Sequence, residues 1–390
     1  MDRILKSFAA RLAAAGLAGP GDALFLGQDD AVACNEPGHP DRDVAEAALR
    51  ALQASALVCV RPAEPYRTIL DFLLTRHPEI ITPGDCETRL FLHDLPVARD
   101  FSAEAMTGAL RRRKGVILPG PRLAAPGSVG PEQAFVTVSS MCFAAFVLFF
   151  EEYLDDLRHG RTTPEQREAF ARAVSHLPGA RADRPALARG PFQDAAQARR
   201  AMLEAGRATV AFGLVDSYFG NISCKLGGVV HISQTGSSLD ELAGCIDACP
   251  LDGSSCAGLT ASSELAAHAG IYAADPTAAC ILHGHPRFAV ILSLDCDLPD
   301  CPNRGRCHLD CPRPRRAGGA PVVPGEVGTG PRGLCHTLPP ALASERAAIV
   351  LGHGLFATGR TDFNEAFAHL ADTENACREE YFRRVRDLGG

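Results

Sequence analysis

Two stretches of this chain, one in each half, resemble each other without a gap, and this similarity limits the folds that the chain can adopt. Residues 115–135 ("GVILPGPRLAAPGSVGPEQAF") align on residues 347–367 ("AAIVLGHGLFATGRTDFNEAF"). Identical pairs include Gly120 and Gly352, Leu123 and Leu355, Ala125 and Ala357, Gly127 and Gly359, Ala134 and Ala366, and Phe135 and Phe367. Upstream, residues 56–69 align on residues 278–291. Self-similarity of this kind predicts a tandem duplication, with chance resemblance between two α/β halves as the alternative.

A loop-like segment separates the two similar halves. Residues 175–193 are rich in Pro, Gly, Ala and Arg, a composition that is typical of a linker. The 390 residues are enough for two ordinary domains. We therefore expect a first domain at residues 1–174, this linker, and a second domain at residues 194–390.

Four side chains of the second half form the pattern of a metal site: His283, His285, His353 and Glu264. The two histidines of "HGHP" follow the apolar run 278–282, and residues i and i+2 of an extended strand point to the same face. The third histidine follows a second apolar run, 347–351. Three protein ligands and one open position are typical of catalytic zinc sites. Unrelated histidines are the alternative, which the completeness of the set disfavours.

The first half lacks this set of side chains. In the alignment, Arg61, Ala63 and Pro121 fall at the three histidine positions, and Arg42 falls at the position of Glu264. The first copy is therefore expected to keep the fold without the metal site.

Charge and hydropathy argue against two classes of partner. The net charge is −7, and no basic stripe with interleaved aromatic residues is present, so no nucleic-acid partner is expected. We find no apolar stretch of the roughly 18–20 residues that span a bilayer, and we expect "AFVLFFEEYL" to be a buried helix face. Residues 1–17 predict an amphipathic helix and not a signal peptide. With fifteen cysteines, this predicts a reducing, cytoplasmic location.

A cysteine-rich segment follows the "HGHP" strand. Its four thiols are spaced C-x4-C-x5-C-x3-C and belong to Cys296, Cys301, Cys307 and Cys311. Four thiolates at such short spacing would suit tetrahedral zinc or an iron–sulfur cluster, and this makes them a candidate second metal site. The spacing matches no standard zinc-ribbon or ferredoxin pattern, so reduced thiols or a local disulfide stay open as alternatives.

Five ordered motifs in residues 195–390 together resemble the class II aldolase/adducin family. They are "GLVDSYFGNIS", "HISQTGSSLDEL", "ASSELAAHAGIYAADP", "CILHGHP" and "VLGHGLFATG". The resemblance implies an α/β fold of α/β/α layers around a mainly antiparallel central sheet. It also implies a divalent metal, Zn²⁺ foremost with Mn²⁺, Co²⁺ or Fe²⁺ as alternatives, bound by His283, His285 and His353 with Glu264.

The resemblance further implies recognition of a phosphorylated small molecule. The implied contacts are Gly220, Asn221, Thr235, Gly236, Ser262 and Ser263. Glycine lets backbone N–H groups approach an anion, and a helix expected to begin near Ser262 would favour a phosphate at its positive end. An ordinary N-cap role is the alternative for Ser262.

The activity implied is that of a metal-dependent aldolase-type lyase. It would make or break a C–C bond, or dehydrate, in a phosphorylated sugar or a keto acid through a metal-stabilised enediolate, with Glu264 as general base. The sequence departs from the family at Gln234, where proline is usual, and at residues 294–316, which replace the region of a catalytic tyrosine. The proton donor is therefore unassigned. A non-catalytic, adducin-like scaffold and a metal- or redox-responsive regulator that uses the Cys296–Cys311 cluster are the alternatives.

The duplication also predicts an assembly. Members of the family commonly form fourfold-symmetric tetramers, so a dimer of a fused pair would mimic that arrangement. Closed symmetry is usual for homo-oligomers, and fusion raises the effective concentration of one copy for its neighbour. We expect a homo-oligomer.

Overall fold

The computed structural model describes residues 1–215, 218–254, 260–298 and 301–390. The chain forms two compact units, one of residues Met1–Pro178 together with Gly390, and one of residues Gly179–Gly389. The division falls inside the segment that the sequence predicts as a linker.

Most of that segment belongs to the second unit. Residues 179–193 contain no helix or strand. Their backbone nevertheless bonds to the second unit: the Leu187 N–H donates to Asn364 Oδ1 (3.1 Å) and the Gly190 N–H donates to Asp362 Oδ2 (3.0 Å). Residues 179–193 of the predicted linker are therefore held to the second unit by hydrogen bonds.

The first unit contains an antiparallel sheet covered by helices. Its helices are α1 (Asp2–Ala14), α2 (Arg42–Leu52), α3 (Tyr66–Arg76), α4 (Cys86–Leu92), α5 (Ala103–Leu110), α6 (Pro131–Arg158) and α7 (Pro164–Ser175). Its strands are β1 (Ala18–Gln28), β2 (Val32–Cys34), β3 (Ala56–Pro62), β4 (Ile80–Ile81), β5 (Leu95–Pro96), β6 (Val116–Leu118) and β7 (Arg122–Gly127). Five of these strands form one sheet in the order β2-β1-β3-β7-β6, while β4 and β5 pair separately. Side chains of β1, β3 and β6 pack with α2 and α5 into one core cluster.

The long helix α6 corrects a prediction from the sequence. By length and composition it could cross a membrane, whereas we expected no stretch of that length. In this structure, however, 89% of its most apolar 18-residue window is buried. Phe146 stacks on Phe150 at a centroid distance of 4.5 Å inside the first unit, as expected of a core helix.

The second unit is built around an eight-stranded sheet. Its helices are α8 (Ala195–Ala211), α9 (Leu265–Ala274), α10 (Arg287–Leu294), α11 (Leu334–Ser344) and α12 (Phe363–Asp387). Its strands are β8 (Asn221–Leu226), β9 (Val229–Ser233), β10 (Ile246–Pro250), β11 (Cys280–Gly284), β12 (Arg315–Ala317), β13 (Ala320–Val323), β14 (Ala347–Val350) and β15 (Gly354–Gly359). The strand order is β10-β9-β8-β11-β15-β14-β13-β12, and among these pairs only β13 and β14 run parallel.

Helices cover both faces of this sheet. On one face, α9 and α11 pack against Ile281 of β11 and Phe356 of β15 in one core cluster. Successive residues of a strand alternate between faces, so Gly284 points to the other side, where Leu370 of α12 lies against it. Since β11 lies in the middle of the sheet, the residues at its end reach the centre of the unit.

The two units share one run of elements. The order β6-β7-α6 in the first unit matches β14-β15-α12 in the second. In each unit, a further strand pairs antiparallel with the second strand of that run, β3 with β7 and β11 with β15.

Candidate metal centre

The three histidines lie at the ends of two strands of the second unit. His283 is in β11, His285 follows that strand directly, and His353 lies in the tight turn between β14 and β15. The His283 ring stacks on Phe356 of the neighbouring strand at a centroid distance of 4.0 Å. Antiparallel pairing of β11 with β15 therefore brings histidines that are 70 residues apart to one place.

The histidine nitrogens converge on one point. His283 Nε2 lies 3.0 Å from His285 Nε2 and 3.3 Å from His353 Nε2. His283 Nδ1 is 3.2 Å from the Leu355 carbonyl oxygen, which can only accept, so Nδ1 carries the proton. The lone pair of His283 Nε2 consequently points at the other two rings. A hydrogen bond at the second ring nitrogen is the usual way in which a protein orients a histidine ligand.

Glu264 completes the group at the start of α9. It is the N-cap residue of that helix, and its Oε2 and Oε1 lie 3.4 Å from the Nε2 atoms of His283 and His353 respectively. Oε1 is buried and has no hydrogen-bond partner. A buried carboxylate oxygen without a donor costs free energy unless a cation satisfies it. The donor set therefore fits a divalent cation bound by three imidazoles and one carboxylate.

Burial keeps the imidazoles of His283 and His285 uncharged. Residue exposure is 1% for His283, 3% for His285, 4% for His353 and 5% for Glu264. Desolvation, reinforced by the neighbouring imidazoles, holds the pKa of His283 and of His285 well below the ordinary histidine range. A neutral imidazole is the form that binds a metal ion.

Two glycines allow the close approach at this site. A Cβ on Gly354 would lie 2.7 Å from His283 Cε1 and 2.8 Å from His285 Cδ2. Gly220 has φ +83°, and a Cβ there would lie 2.7 Å from the His283 carbonyl oxygen. Both positions exclude a larger side chain for steric reasons.

The side chain of Asn221 is fully engaged with protein groups. Its Nδ2 donates to Glu264 Oε2 (2.5 Å), and its Oδ1 lies 2.6 Å from His268 Nε2. The predicted substrate contact of Asn221 stays a prediction, because both of its amide atoms already have partners in the protein.

Four of the predicted phosphate contacts gather beside α9. Thr235 Oγ1 accepts from the Ser263 N–H (3.0 Å) and donates to the Ala261 carbonyl (3.1 Å), and Ser262 Oγ accepts from the Glu264 N–H (3.3 Å). Thr235, Gly236 and Ser263 are exposed. The N-cap of α9 is Glu264, so the alternative interpretation of Ser262 as the N-cap was wrong.

Strand register corrects the alignment of the first unit. Cys59 lies opposite Ala124 in the β3–β7 ladder, as His283 lies opposite Phe356 in the β11–β15 ladder. The gapless alignment pairs Ala124 with Phe356, so Cys59 and not Arg61 corresponds to His283. The alignment of residues 56–69 on 278–291 is therefore wrong by two residues. A shift of two residues keeps every side chain on the same face of the strand, so the hydrophobic pattern alone does not reveal it.

The corrected register shows what replaces the metal ligands in the first unit. Arg61, and not Ala63, corresponds to the second "HGH" histidine. Asp41 is the N-cap of α2, the place that Glu264 takes before α9, whereas the alignment puts Arg42 there. Arg122 Nε donates to Asp41 Oδ2 over 2.8 Å, and both side chains are largely buried. An ion pair thus lies where the second unit gathers its ligands.

The cysteine segment folds back on itself, and burial together with the nearby thiols of Cys301, Cys311 and Cys296 raises the pKa of Cys307. Asn303 Nδ2 donates to the Asp310 carbonyl (2.7 Å), and Cys307 Sγ donates to the Asn303 carbonyl (3.3 Å). Among the residues that the structure describes, the three histidines are the one group of three or more potential ligands whose ligand atoms lie within 4.8 Å of each other. A metal at Cys296, Cys301, Cys307 and Cys311 therefore stays a prediction.

Sequence reasoning missed part of the site. His268 lies four residues after Glu264, and its sequence context favours a helix-surface or core histidine over one that orients Glu264. In the structure it is fully buried and contacts Asn221. Desolvation lowers the pKa of His268 to about 3. Tyr272 and Ser223 lie beyond it. The available signal was the spacing of Glu264, His268 and Tyr272, which puts the three on one face of a helix.

Comparisons with known proteins agree with the motif pattern. Residues 200–381 match the family described as "Class II Aldolase and Adducin N-terminal domain". Over 103 residues, 25% of this chain and 48% of the relative, the chain is 33% identical to a methylthioribulose-1-phosphate dehydratase of Gluconobacter oxydans (strain 621H). The chain spans about half the length of that curated relative.

Two solved structures resemble about half of the chain. L-fuculose-1-phosphate aldolase from Thermus thermophilus is 25% identical, with 48% of this chain and 95% of that chain covered and a TM-score of 0.40. YgbL, a putative aldolase/epimerase/decarboxylase from Klebsiella pneumoniae, is also 25% identical, with 50% and 100% covered and a TM-score of 0.39.

Proposed function

Because residues 200–381 belong to the class II aldolase/adducin family, we propose that this chain is a metal-dependent lyase of the aldolase type. Its substrate would be a phosphorylated sugar or a keto acid, in which a C–C bond is made or broken or water is eliminated. The observation that supports this most directly is the convergence of three histidine Nε2 atoms beside the unpartnered Oε1 of Glu264.

The proposed ligands are His283, His285, His353 and Glu264. A set of three imidazoles and a carboxylate suits Zn²⁺ best, and it also accepts Mn²⁺, Co²⁺ or Fe²⁺. When bound, such an ion acts as a Lewis acid on the carbonyl and hydroxyl oxygens of the substrate and stabilises the negative charge of the enediolate.

Glu264 would be the general base. Asn221 Nδ2 donates to Glu264 Oε2, so this oxygen already has a donor. Oε1 has none, and it faces the histidine cluster at 3.4 Å from His353 Nε2. Oε1 is therefore the oxygen that would be available to the cation or, with substrate present, to the proton of a substrate hydroxyl.

The exposed groups beside α9 would bind the phosphate. Thr235, Gly236 and Ser263 lie close to the N-terminus of that helix, where the partial positive charge favours an anion. This arrangement supports a substrate that carries its phosphate a short distance from the oxygen atoms that would bind the metal.

The first unit would be a second copy of the domain without the metal. The shared run β6-β7-α6 and β14-β15-α12 supports a duplication of residues 1–174 and 194–390. A dimer of this chain would then supply four copies, as in a tetramer of single domains. A cytoplasmic location is part of the same proposal.

Elemental analysis tests the metal centre. We expect about one divalent ion per chain in the wild type, and its loss in His283→Ala/His285→Ala. His93→Ala/His159→Ala is a matched control, because it removes two exposed histidines of the first unit. A screen of sugar phosphates and keto acids with the metal-loaded protein then tests lyase activity. Absence of metal from the wild type would contradict the proposed function.

A non-catalytic scaffold is the second candidate. Its support is the low exposure of the four ligands, none above 5%. A scaffold would bind the ion tightly, turn over no substrate in the screen, and lose stability without gaining any measurable reaction when the ion is removed.

A further inference from the structure

A buried line of hydrogen bonds leads from Glu264 into the core of the second unit. Glu264 Oε2 accepts from Asn221 Nδ2 (2.5 Å), and Asn221 Oδ1 lies 2.6 Å from His268 Nε2. His268 Nδ1 lies 2.7 Å from Ser223 Oγ, and Ser223 Oγ lies 2.8 Å from the Tyr272 hydroxyl. None of the five residues is more than 6% exposed. Solvent therefore does not supply alternative partners for these groups.

The chemistry of the groups gives this line one direction. Asn221 Oδ1 can only accept, so His268 Nε2 must carry the proton. In the neutral imidazole the other nitrogen, Nδ1, has a lone pair and accepts from Ser223 Oγ. The serine hydroxyl has then donated its only proton, so in this 2.8 Å contact the Tyr272 hydroxyl is the donor, and the Ala279 carbonyl oxygen is its second, longer acceptor at 3.5 Å. Each donor points toward Glu264.

We infer that His268 is a positioning residue that sets the amide orientation of Asn221 and, through it, the orientation of the Glu264 carboxylate. The inference rests on the proposed metal centre, since its consequence is that Oε1 of Glu264 faces the histidines. Ser223 fixes the tautomer of His268, and Tyr272 fixes the hydroxyl of Ser223. None of these three side chains is a proposed ligand.

The alternative orientation of Asn221 is unfavourable at both ends. A flipped amide would turn its oxygen toward the Glu264 carboxylate and its NH₂ toward the protonated Nε2 of His268. Two acceptors and two donors would then face each other in a buried site, which costs several kcal/mol. An isolated asparagine has no such preference between its two orientations, so the preference here comes from its two partners, His268 at the amide oxygen and Glu264 at the amide nitrogen.

The tautomer can be measured without any activity. Long-range ¹H–¹⁵N correlation spectra of the ¹⁵N-histidine-labelled full chain distinguish a protonated Nε2 from a protonated Nδ1. His268→Gln identifies the signal of that residue by its disappearance. We expect His268 to be protonated at Nε2 in the metal-free chain at neutral pH. Protonation at Nδ1 would overturn the inference.

Two substitutions of similar polarity separate positioning from packing. In His268→Gln the amide nitrogen can replace Nε2 as donor to Asn221, whereas in His268→Asn the amide reaches only the Nδ1 position. Groups that orient a ligand commonly contribute 10- to 100-fold to metal affinity. We therefore expect His268→Asn to weaken Zn²⁺ or Co²⁺ binding roughly 10-fold or more, with substantial recovery in His268→Gln. Equal losses in the two variants would contradict a positioning role.

A mutant cycle with Glu264 gives the decisive control. If His268 acts through this carboxylate, His268→Asn will weaken Co²⁺ binding in the wild-type background and leave it unchanged in a Glu264→Ala background. The visible absorption spectrum of bound Co²⁺ reports the same difference through the ligand geometry. A similar loss in both backgrounds would show that His268 only stabilises the fold.

The failure of the proposed function has a different signature. If the wild-type chain binds no metal, the metal centre fails as a proposal, and the tautomer measurement still decides whether the line of hydrogen bonds has this direction. If the chain binds metal and the cycle shows no coupling, the positioning role fails and the metal centre stands.

Discussion

The Nε atom of Arg122 lies 2.8 Å from Oδ2 of Asp41, the N-cap residue of α2 in the first unit, whereas the N-cap residue of α9 in the second unit is Glu264. A guanidinium thus neutralises the carboxylate where the second unit offers one to a cation. Removal of one partner from a buried ion pair leaves the other charge uncompensated.

We expect Asp41→Ala to lower the free energy of unfolding of the first unit by about 2–4 kcal/mol. Asp43→Ala changes an exposed residue two positions further along the chain, in the first turn of the same helix, and its effect should stay below about 1 kcal/mol. Urea unfolding followed by circular dichroism measures both. Metal content should be unchanged in Asp41→Ala; a loss of metal would link this residue to the ion after all.

Gly354→Ala should damage the metal centre through steric contact alone. The new Cβ would lie within 2.8 Å of both "HGH" imidazoles, so the rings must move. We expect metal affinity to fall roughly 10- to 100-fold, as for other changes that misplace ligands. Gly228→Ala is the control, since a Cβ there meets no atom within 4 Å. Isothermal titration calorimetry with Zn²⁺ separates the two variants.

Asp85 should make the stability of the first unit depend on pH. Burial raises the pKa of this N-cap carboxyl to about 6, although it accepts the Thr88 N–H at 2.7 Å. Because the pKa of Asp85 is raised, the folded state binds a proton at this carboxyl more tightly than the unfolded state does, and this stabilises the first unit. The stabilisation is complete below about pH 4 and is lost as the pH rises through about 6. The loss is about 1–3 kcal/mol.

Asp85→Asn removes this ionisable group and keeps a good N-cap. The free energy of unfolding of the variant, relative to that of the wild type, should therefore be larger at pH 8 than at pH 4. Urea unfolding at both pH values measures the difference. Asp43→Asn should show no such trend. The assignment would be disproved if the wild type exceeded Asp85→Asn in free energy of unfolding by more at pH 8 than at pH 4.

The cysteine segment gives a separate outcome in elemental analysis. Its sulfur atoms do not form a ligand group in the described structure, so we expect Cys301→Ser/Cys307→Ser to keep the metal content of the wild type. A second ion in the wild type that disappears in this variant, and persists in His283→Ala/His285→Ala, would show that the cysteines bind metal.

Local sequence patterns predicted several elements of the second unit correctly. The apolar runs before the histidines are the strands β11 and β14. By residue type, Asp362 or Thr361 is a candidate helix cap, and Asp362 caps α12 by accepting the Asn364 N–H at 2.9 Å. These features depend on alternation along a strand and on a side chain two residues from its backbone partner. Such relations lie within a few residues, so the sequence contains them directly.

The family resemblance rested on the same kind of local information. Five short motifs in order were enough to predict the family, which the match over residues 200–381 confirms. The buried helix face predicted for "AFVLFFEEYL" is confirmed in α6, whereas the length of this apolar helix, 28 residues, was not predicted.

By itself, the sequence determined which side chains could bind a metal, that two of them share one face of a strand, and the family of the second half. Only the tertiary structure decided which residues support that site. Asn221 reaches Glu264 across 43 residues of chain, and Cys59 corresponds to His283 only after the ladders are paired. Contacts of this kind depend on strand order and register, which are set by packing across the whole unit and not by neighbouring residues.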